Sequence, residues 1–211
     1  MLNYKKTCKE NGFYALGGLN KTAKMHKSWE RGVATYCVYL APANMAGRSS
    51  KGTRINVCPK SEHCKELCLN ASGHNKADIL SKGVKDSIIN RARINKTRLF
   101  YNDRNTYMDI LIHEIERDRK YAEAHNMDFS VRLNGTSDLS PEIMAKDGKN
   151  ILEMYPDVQF YDYTKVFTRI RLMSVYKNYD LTFSFDKPMI QPLGSIYLIS
   201  YSLALTTLYP L

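Results

Sequence analysis

Residues 157–187 read DVQFYDYTKVFTRIRLMSVYKNYDLTFSFDK. Both ends, 157–165 and 179–187, are rich in aromatic and β-branched residues and run into polar turns, the pattern of strands. The stretch between them, 166–178, is predicted helical. A strand–helix–strand unit of this length joins parallel strands by a right-handed crossover. Upstream, DFSVRLNGTSD (128–138) adds another strand and polar turn. SPEIMAKDGKNILEMY (140–155) follows with Ser140 as N-cap, Pro141 at the first helical position and Glu142 after it, which predicts a helix. Repeated strand–helix units define an α/β fold with a parallel sheet. The expectation is a partial or complete TIM-like βα barrel, with an open α/β layer as the alternative, since only three or four strands are clear and a closed barrel needs eight.

Nearer the N-terminus, ATYCVYLAPA (34–43) reads as a buried strand ended by Pro42. Helices are predicted over 76–100, where Gly83 is a weak point, and over 105–125, with Met108, Leu111, Ile112 and Ile115 on the inner side. One α/β domain is expected over 1–187. Residues 188–211 carry no charge, against 25% charged residues in the whole chain. That tail reads as a truncated or aberrant C-terminus or as a buried element. It is too short and too rich in Ser, Thr and Tyr for a membrane span.

The formal net charge of +10 favours an anionic partner, nucleic acid or nucleotide first. The first residues lack an apolar leader, so a reducing cytoplasm is expected, where clustered cysteines serve metals or catalysis rather than disulfides. Three of the five cysteines fall in NVCPKSEHCKELCLNASGHN (56–75). Cys64 and Cys68 are four apart and stack on one face of a helical turn, and Cys58 folds back across Pro59. Two assignments compete. A Cys3His zinc site would be completed by His63 or, better placed, His74. An iron–sulfur cluster would use the three thiolates and leave one iron open.

In parallel α/β sheets reactive groups collect at the carboxyl ends of strands. Those ends offer Asn134, Thr136, Ser137 and Asp138, then Asp162, Tyr163, Thr164 and Lys165, then Ser184, Asp186 and Lys187. Asp138, Asp162 and Lys165 are the candidates for acid–base work. Arg132, Asn134, Ser137, Tyr163 and Ser184 are candidate substrate contacts. Arg132 and the basic 76–100 helix, with Arg91, Arg93, Lys96 and Arg98, would hold an anion.

Taken in order, LAPANMAG, NVCPKSEHCKELCLNASG, RARINKTRLFYNDR, RLNGTSDLS, YPDVQFYDYTKV and NYDLTFSFD resemble the phage protein family called gene product 88, over residues 12–187. The resemblance implies a phage-encoded protein in the host cytoplasm. A three-cysteine loop after an early strand, followed by βα repeats, is more distantly similar to radical S-adenosylmethionine enzymes. Those space their cysteines C-x3-C-x2-C, unlike the x5 and x3 spacing here. A weaker analogy is to the guanine-exchanging transglycosylases. The expected function is thus a metal- or iron–sulfur-dependent enzyme acting on a nucleotide or nucleic acid, with or without S-adenosylmethionine. The rival is a zinc-stabilised nucleic-acid-binding protein without catalysis; a host-interaction protein with no metal is the third reading.

Overall fold

The computed structural model describes residues 2–19, 27–61, 64, 68–84 and 86–184. The predicted strand end at Asp186 and Lys187, His63 and the uncharged tail lie outside them. The chain opens with helix α1 (Tyr4–Glu10), capped by the Asn3 side chain, which accepts from the Lys6 amide. Strands β1 (Gly17–Leu19) and β2 (Val33–Val38) follow. After a long excursion come helices α2 (Gly73–Lys82), α3 (Ile88–Asn102) and α4 (Arg104–Ala124). Next are β3 (Asp128–Arg132), a small hairpin of β4 (Ala145–Lys146) and β5 (Lys149–Asn150), and the one-turn helix α5 (Ile151–Met154). Strand β6 (Gln159–Thr164), a 3-10 turn running into α6 (Leu172–Val175), and β7 (Tyr179–Phe183) complete the described elements.

One mixed sheet has the order β1-β2-β3-β6-β7. β1 runs antiparallel to β2, whereas β2, β3, β6 and β7 are mutually parallel. The register aligns Tyr36, Val131, Phe160 and Tyr179 in one row across the sheet, and all four are buried. They belong to the same apolar core as Met108, Leu111 and Ile115 of α4, the inner positions read from its spacing. Each fully buried side chain of this size contributes about 1.5–3 kcal/mol, so this row fixes the sheet against its helix.

Two elements differ from their sequence expectation. The helix expected over 76–100 is two helices, because Gly83 takes φ +82° and Ser87 starts a new cap by accepting from the Asn90 amide. The helix expected from Ser140 stops after one 3-10 turn, Pro141–Ile143. Asp147 and Gly148 then adopt φ +52° and +79°, and the chain reverses between Lys146 and Lys149 as a two-residue hairpin. The sheet is mixed rather than wholly parallel because the short β1, not recognised in the sequence, adds an antiparallel edge.

Candidate functional site at the carboxyl rim

The four parallel strands all point to one rim, so Tyr39, the 133–138 loop, Lys165 and Ser184 emerge side by side. The 133–138 loop is bound to its neighbours at every step. The Gly135 amide donates to the Val38 carbonyl at 2.9 Å, and Thr136 Oγ1 to that of Leu40 at 2.6 Å. A Cβ on Gly135 would lie 2.6 Å from the Tyr39 ring and 2.7 Å from the Val38 oxygen, which is why glycine stands there. Asn134 turns the loop from inside: its Oδ1 accepts from Ser137 Oγ at 2.8 Å and the Leu139 amide at 2.9 Å.

Asp162 shares the core-facing side of β6 with Phe160 and is 2% exposed. Its Oδ1 accepts from the Asn134 amide at 2.8 Å and its Oδ2 from Asn134 Nδ2 at 3.0 Å. Burial pushes its carboxyl up to about 7, against the opposing hydrogen bonds from Asn134. Asp162 is therefore a buried support for the loop and does not line the rim cavity.

Asp138 does line that cavity. Its Oδ2 accepts from the Lys165 amide at 2.9 Å and its Oδ1 from Arg169 at 2.7 Å, and its own amide donates to the Val57 carbonyl at 2.7 Å. That last bond ties the cysteine segment to the strand ends. Lys165 Nζ lies 3.4 Å from Ser184 Oγ. The Arg132 guanidinium stacks over the half-exposed Tyr163 ring, 5.0 Å from its centroid. Arg132 Nε is buried with no hydrogen-bond partner among the described residues.

The cysteine segment is held from both ends. Ala43, at φ +50°, donates its amide to Cys58 Sγ at 3.2 Å, and Cys58 Sγ donates to the Thr136 carbonyl at 3.6 Å. The Asn70 amide donates to Cys68 Sγ at 3.4 Å. Asn70 is anchored in turn: its Nδ2 donates to Asn90 Oδ1 at 3.0 Å, and its Oδ1 accepts from Arg93, whose guanidinium stacks on Tyr39. Burial pushes the Cys58 thiol up to about 11, opposed by the Ala43 amide and reinforced by Cys68, Asp138 and Cys64 beside it. Burial also raises Cys68, while Arg93 pulls it back.

A cavity of about 280 Å³ results, walled on one side by Cys58, Cys64 and Cys68 and on the other by Arg132, Asp138 and Lys165. Asn134, Ser137, Tyr163 and Ser184 complete its polar lining. The structure thus brings together the three cysteines and seven of the eight residues read as catalytic or substrate-contacting. Asp162 stands behind the wall. His74 is exposed on α2 and is not part of the lining. Asn70 and Arg169 were not singled out in the sequence; nothing in their neighbours marks them, because their roles depend on contacts 20–31 residues away. Ser61, also missed, bonds locally to the Cys58 carbonyl at 2.7 Å.

As a metal site the donor set fits in chemistry. Three thiols face one space, and two of their sulfurs accept backbone N–H bonds, which offset part of the burial that holds them protonated and would support the thiolate form a metal ligates. It does not yet fit in spacing: among the described residues no three Cys, His, Asp or Glu side chains are grouped closely enough to hold an ion. The basic face also differs from expectation. Lys96 Nζ donates to the Leu16 carbonyl at 2.9 Å, Arg98 to that of Ala46 at 3.0 Å, and Arg93 to Asn70. Of the four cations read as phosphate contacts on this helix, Arg93, Lys96 and Arg98 are thus bonded to the chain itself, and the Arg91 side chain has no such bond among the described residues.

Fold and rim together define a mixed α/β protein with a thiol- and cation-lined cavity at the carboxyl ends of its parallel strands. The gene product 88 family model matches residues 10–199, and the chain belongs to that family. No curated protein and no solved structure matches it. Among the described residues no helix is long and apolar enough to cross a membrane.

Proposed function

We propose that this protein is an enzyme whose rim cavity binds a small anionic substrate, a nucleotide or the end of a nucleic-acid strand, beside a metal or iron–sulfur centre on Cys58, Cys64 and Cys68. One observation carries the reading: thiols from one short segment and cations at the ends of two different strands, Arg132 of β3 and Lys165 just past β6, line the same cavity. Its volume is at the lower end of small-ligand sites, which suits a phosphate-bearing group and excludes a duplex. Arg132 and Lys165 supply positive charge, and Arg132 Nε is a buried donor available to an anion. The Ser184 hydroxyl, which accepts from Lys165, keeps its proton to orient the anion, while Ser137 spends its own on Asn134. Asp138 is matched by Arg169, so it leaves the cavity's charge positive and fixes the position of Lys165. Asp162 is a positioning residue, acting through Asn134. A bound centre would supply Lewis-acid or electron-transfer chemistry, and loading it would require the three sulfurs to draw together. The rising strand order β2-β3-β6-β7 is that of a singly wound βα layer and supports the partial-barrel reading.

Anaerobic purification followed by metal and sulfide analysis tests this. Brown protein containing iron and sulfide, with the metal lost from Cys64→Ser, is the expected result. Colourless protein with one zinc would favour the zinc-stabilised binding protein instead. Metal-free protein, or full metal content in Cys64→Ser, would overturn the proposed centre.

A further inference from the structure

The three cysteines face a second cavity as well. It measures about 250 Å³ and shares Cys58, Ser61, Cys64 and Cys68 with the first. The two cavities therefore meet at a common thiol wall. Their other walls differ in chemistry. The first carries Arg132, Lys165 and Asp138. Among the described residues the second carries no charged side chain; beside Asn44 and Asn70 its remaining lining is Pro42, Ala43, Met45, Ala71, Ile79 and Val84. Apolar surface continues out of it at Val84, which lines the chamber and is 50% exposed.

We infer that the two cavities are the halves of one site for an amphipathic ligand, with its anionic end on Arg132 and Lys165 and an apolar group in the second cavity, lying across the thiols. This rests on the reading of the first cavity as an anion site and deepens it by naming the other half of the substrate. The physical reason is selectivity. A cationic pocket alone accepts any small anion, whereas an adjoining apolar chamber adds affinity only for a ligand that buries carbon there. Burial of each methylene contributes about fourfold in affinity, so a four-carbon group would outweigh ordinary competing phosphates.

The test is calorimetric titration of the full chain with inorganic phosphate and with methyl, butyl and hexyl phosphate. Affinity is expected to rise with chain length, by up to about fourfold per buried methylene, until the chamber is filled. Two variants isolate the chamber without touching the thiols or the cations. Ala71→Phe, at an exposed position on its wall, fills it, and Ile79→Ser makes it polar. Both are expected to keep the affinity for inorganic phosphate and to lose the dependence on chain length. Phosphate binding with no gain from the alkyl chain, or a gain unchanged in both variants, would overturn the bipartite site and leave the anion cavity standing. Failure of every phosphate to bind, or binding undiminished in Lys165→Met, would overturn the anion reading and this inference with it.

Discussion

Glu114 shows how a single side chain can organise the N-terminal third of the molecule. It is fully buried on α4, and its two oxygens accept from the hydroxyls of Tyr4 and Tyr36 and the amides of Leu16 and Gly17, at 2.7–2.8 Å. Four donors, from α1, β1, the residue before β1 and β2, thus converge on one carboxylate. Glu114→Ala strands them and is expected to cost roughly 3–5 kcal/mol, read from urea unfolding. Gly135→Ala drives a methyl into the Tyr39 ring and the Val38 carbonyl and should cost roughly 1–3 kcal/mol in the same assay. Asp162 gives a pH signature. Its folded-state pKa, about 7, is raised above the ordinary 3.8, so the folded chain holds the proton more tightly than the unfolded chain. Its contribution is complete below about pH 4 and is lost as pH rises through 7. Unfolding free energy, compared with Asp162→Asn, should fall across that window. The substitution itself places amide donor against the Asn134 amide, so it should also weaken the loop at every pH. Asp162 was legible in the sequence as a polar residue at a strand end; that it faces the core was not, because the alternation of β6 puts Tyr161 and Tyr163 on the other side. Glu114 was not legible at all, since it sits among the charges of IHEIERDRK like any solvated helix residue.

Strands were easier to read than helices at the level of whole elements. All four parallel strands announce themselves by aromatic and β-branched runs, and their polar ends meet where a parallel sheet puts them. The errors came from local turn chemistry overridden by a longer pattern. Ser140 and Pro141 are a strong helix start, but Asp147–Gly148 a few residues later is an equally strong hairpin turn, and the hairpin prevails. The cysteine segment depends on contacts that no spacing reveals. Asn90 on α3 is fully buried, accepts from the side chains of Asn70 and Asn75, and donates to the Val84 carbonyl at 3.0 Å. Asn90→Ala unties the Cys68 end of that segment. Its local opening should make Cys68 roughly tenfold more reactive to a thiol reagent in metal-free protein, while Cys8, the buried residue of α1, is unchanged. Equal acceleration at both thiols would mean global unfolding instead.

Across the whole molecule, net charge is a poor guide to which cations remain available to an anion. The +10 balance and the cation-rich stretch 91–98 pointed to a helix surface, yet Arg93, Lys96 and Arg98 donate to the protein's own oxygens. Burial lowers Lys96 to about 8, which suits a packing cation rather than a phosphate contact. Nucleic-acid affinity is accordingly expected to depend only weakly on salt, with a slope set by the two rim cations rather than by a basic face. Arg132 and Lys165 instead line the rim cavity together with the thiols. X-ray absorption at the metal edge of anaerobically purified protein probes that arrangement most directly. The expected spectrum has a shell of about three sulfurs at ~2.3 Å, lost in Cys64→Ser. A first shell made only of oxygen and nitrogen would contradict it.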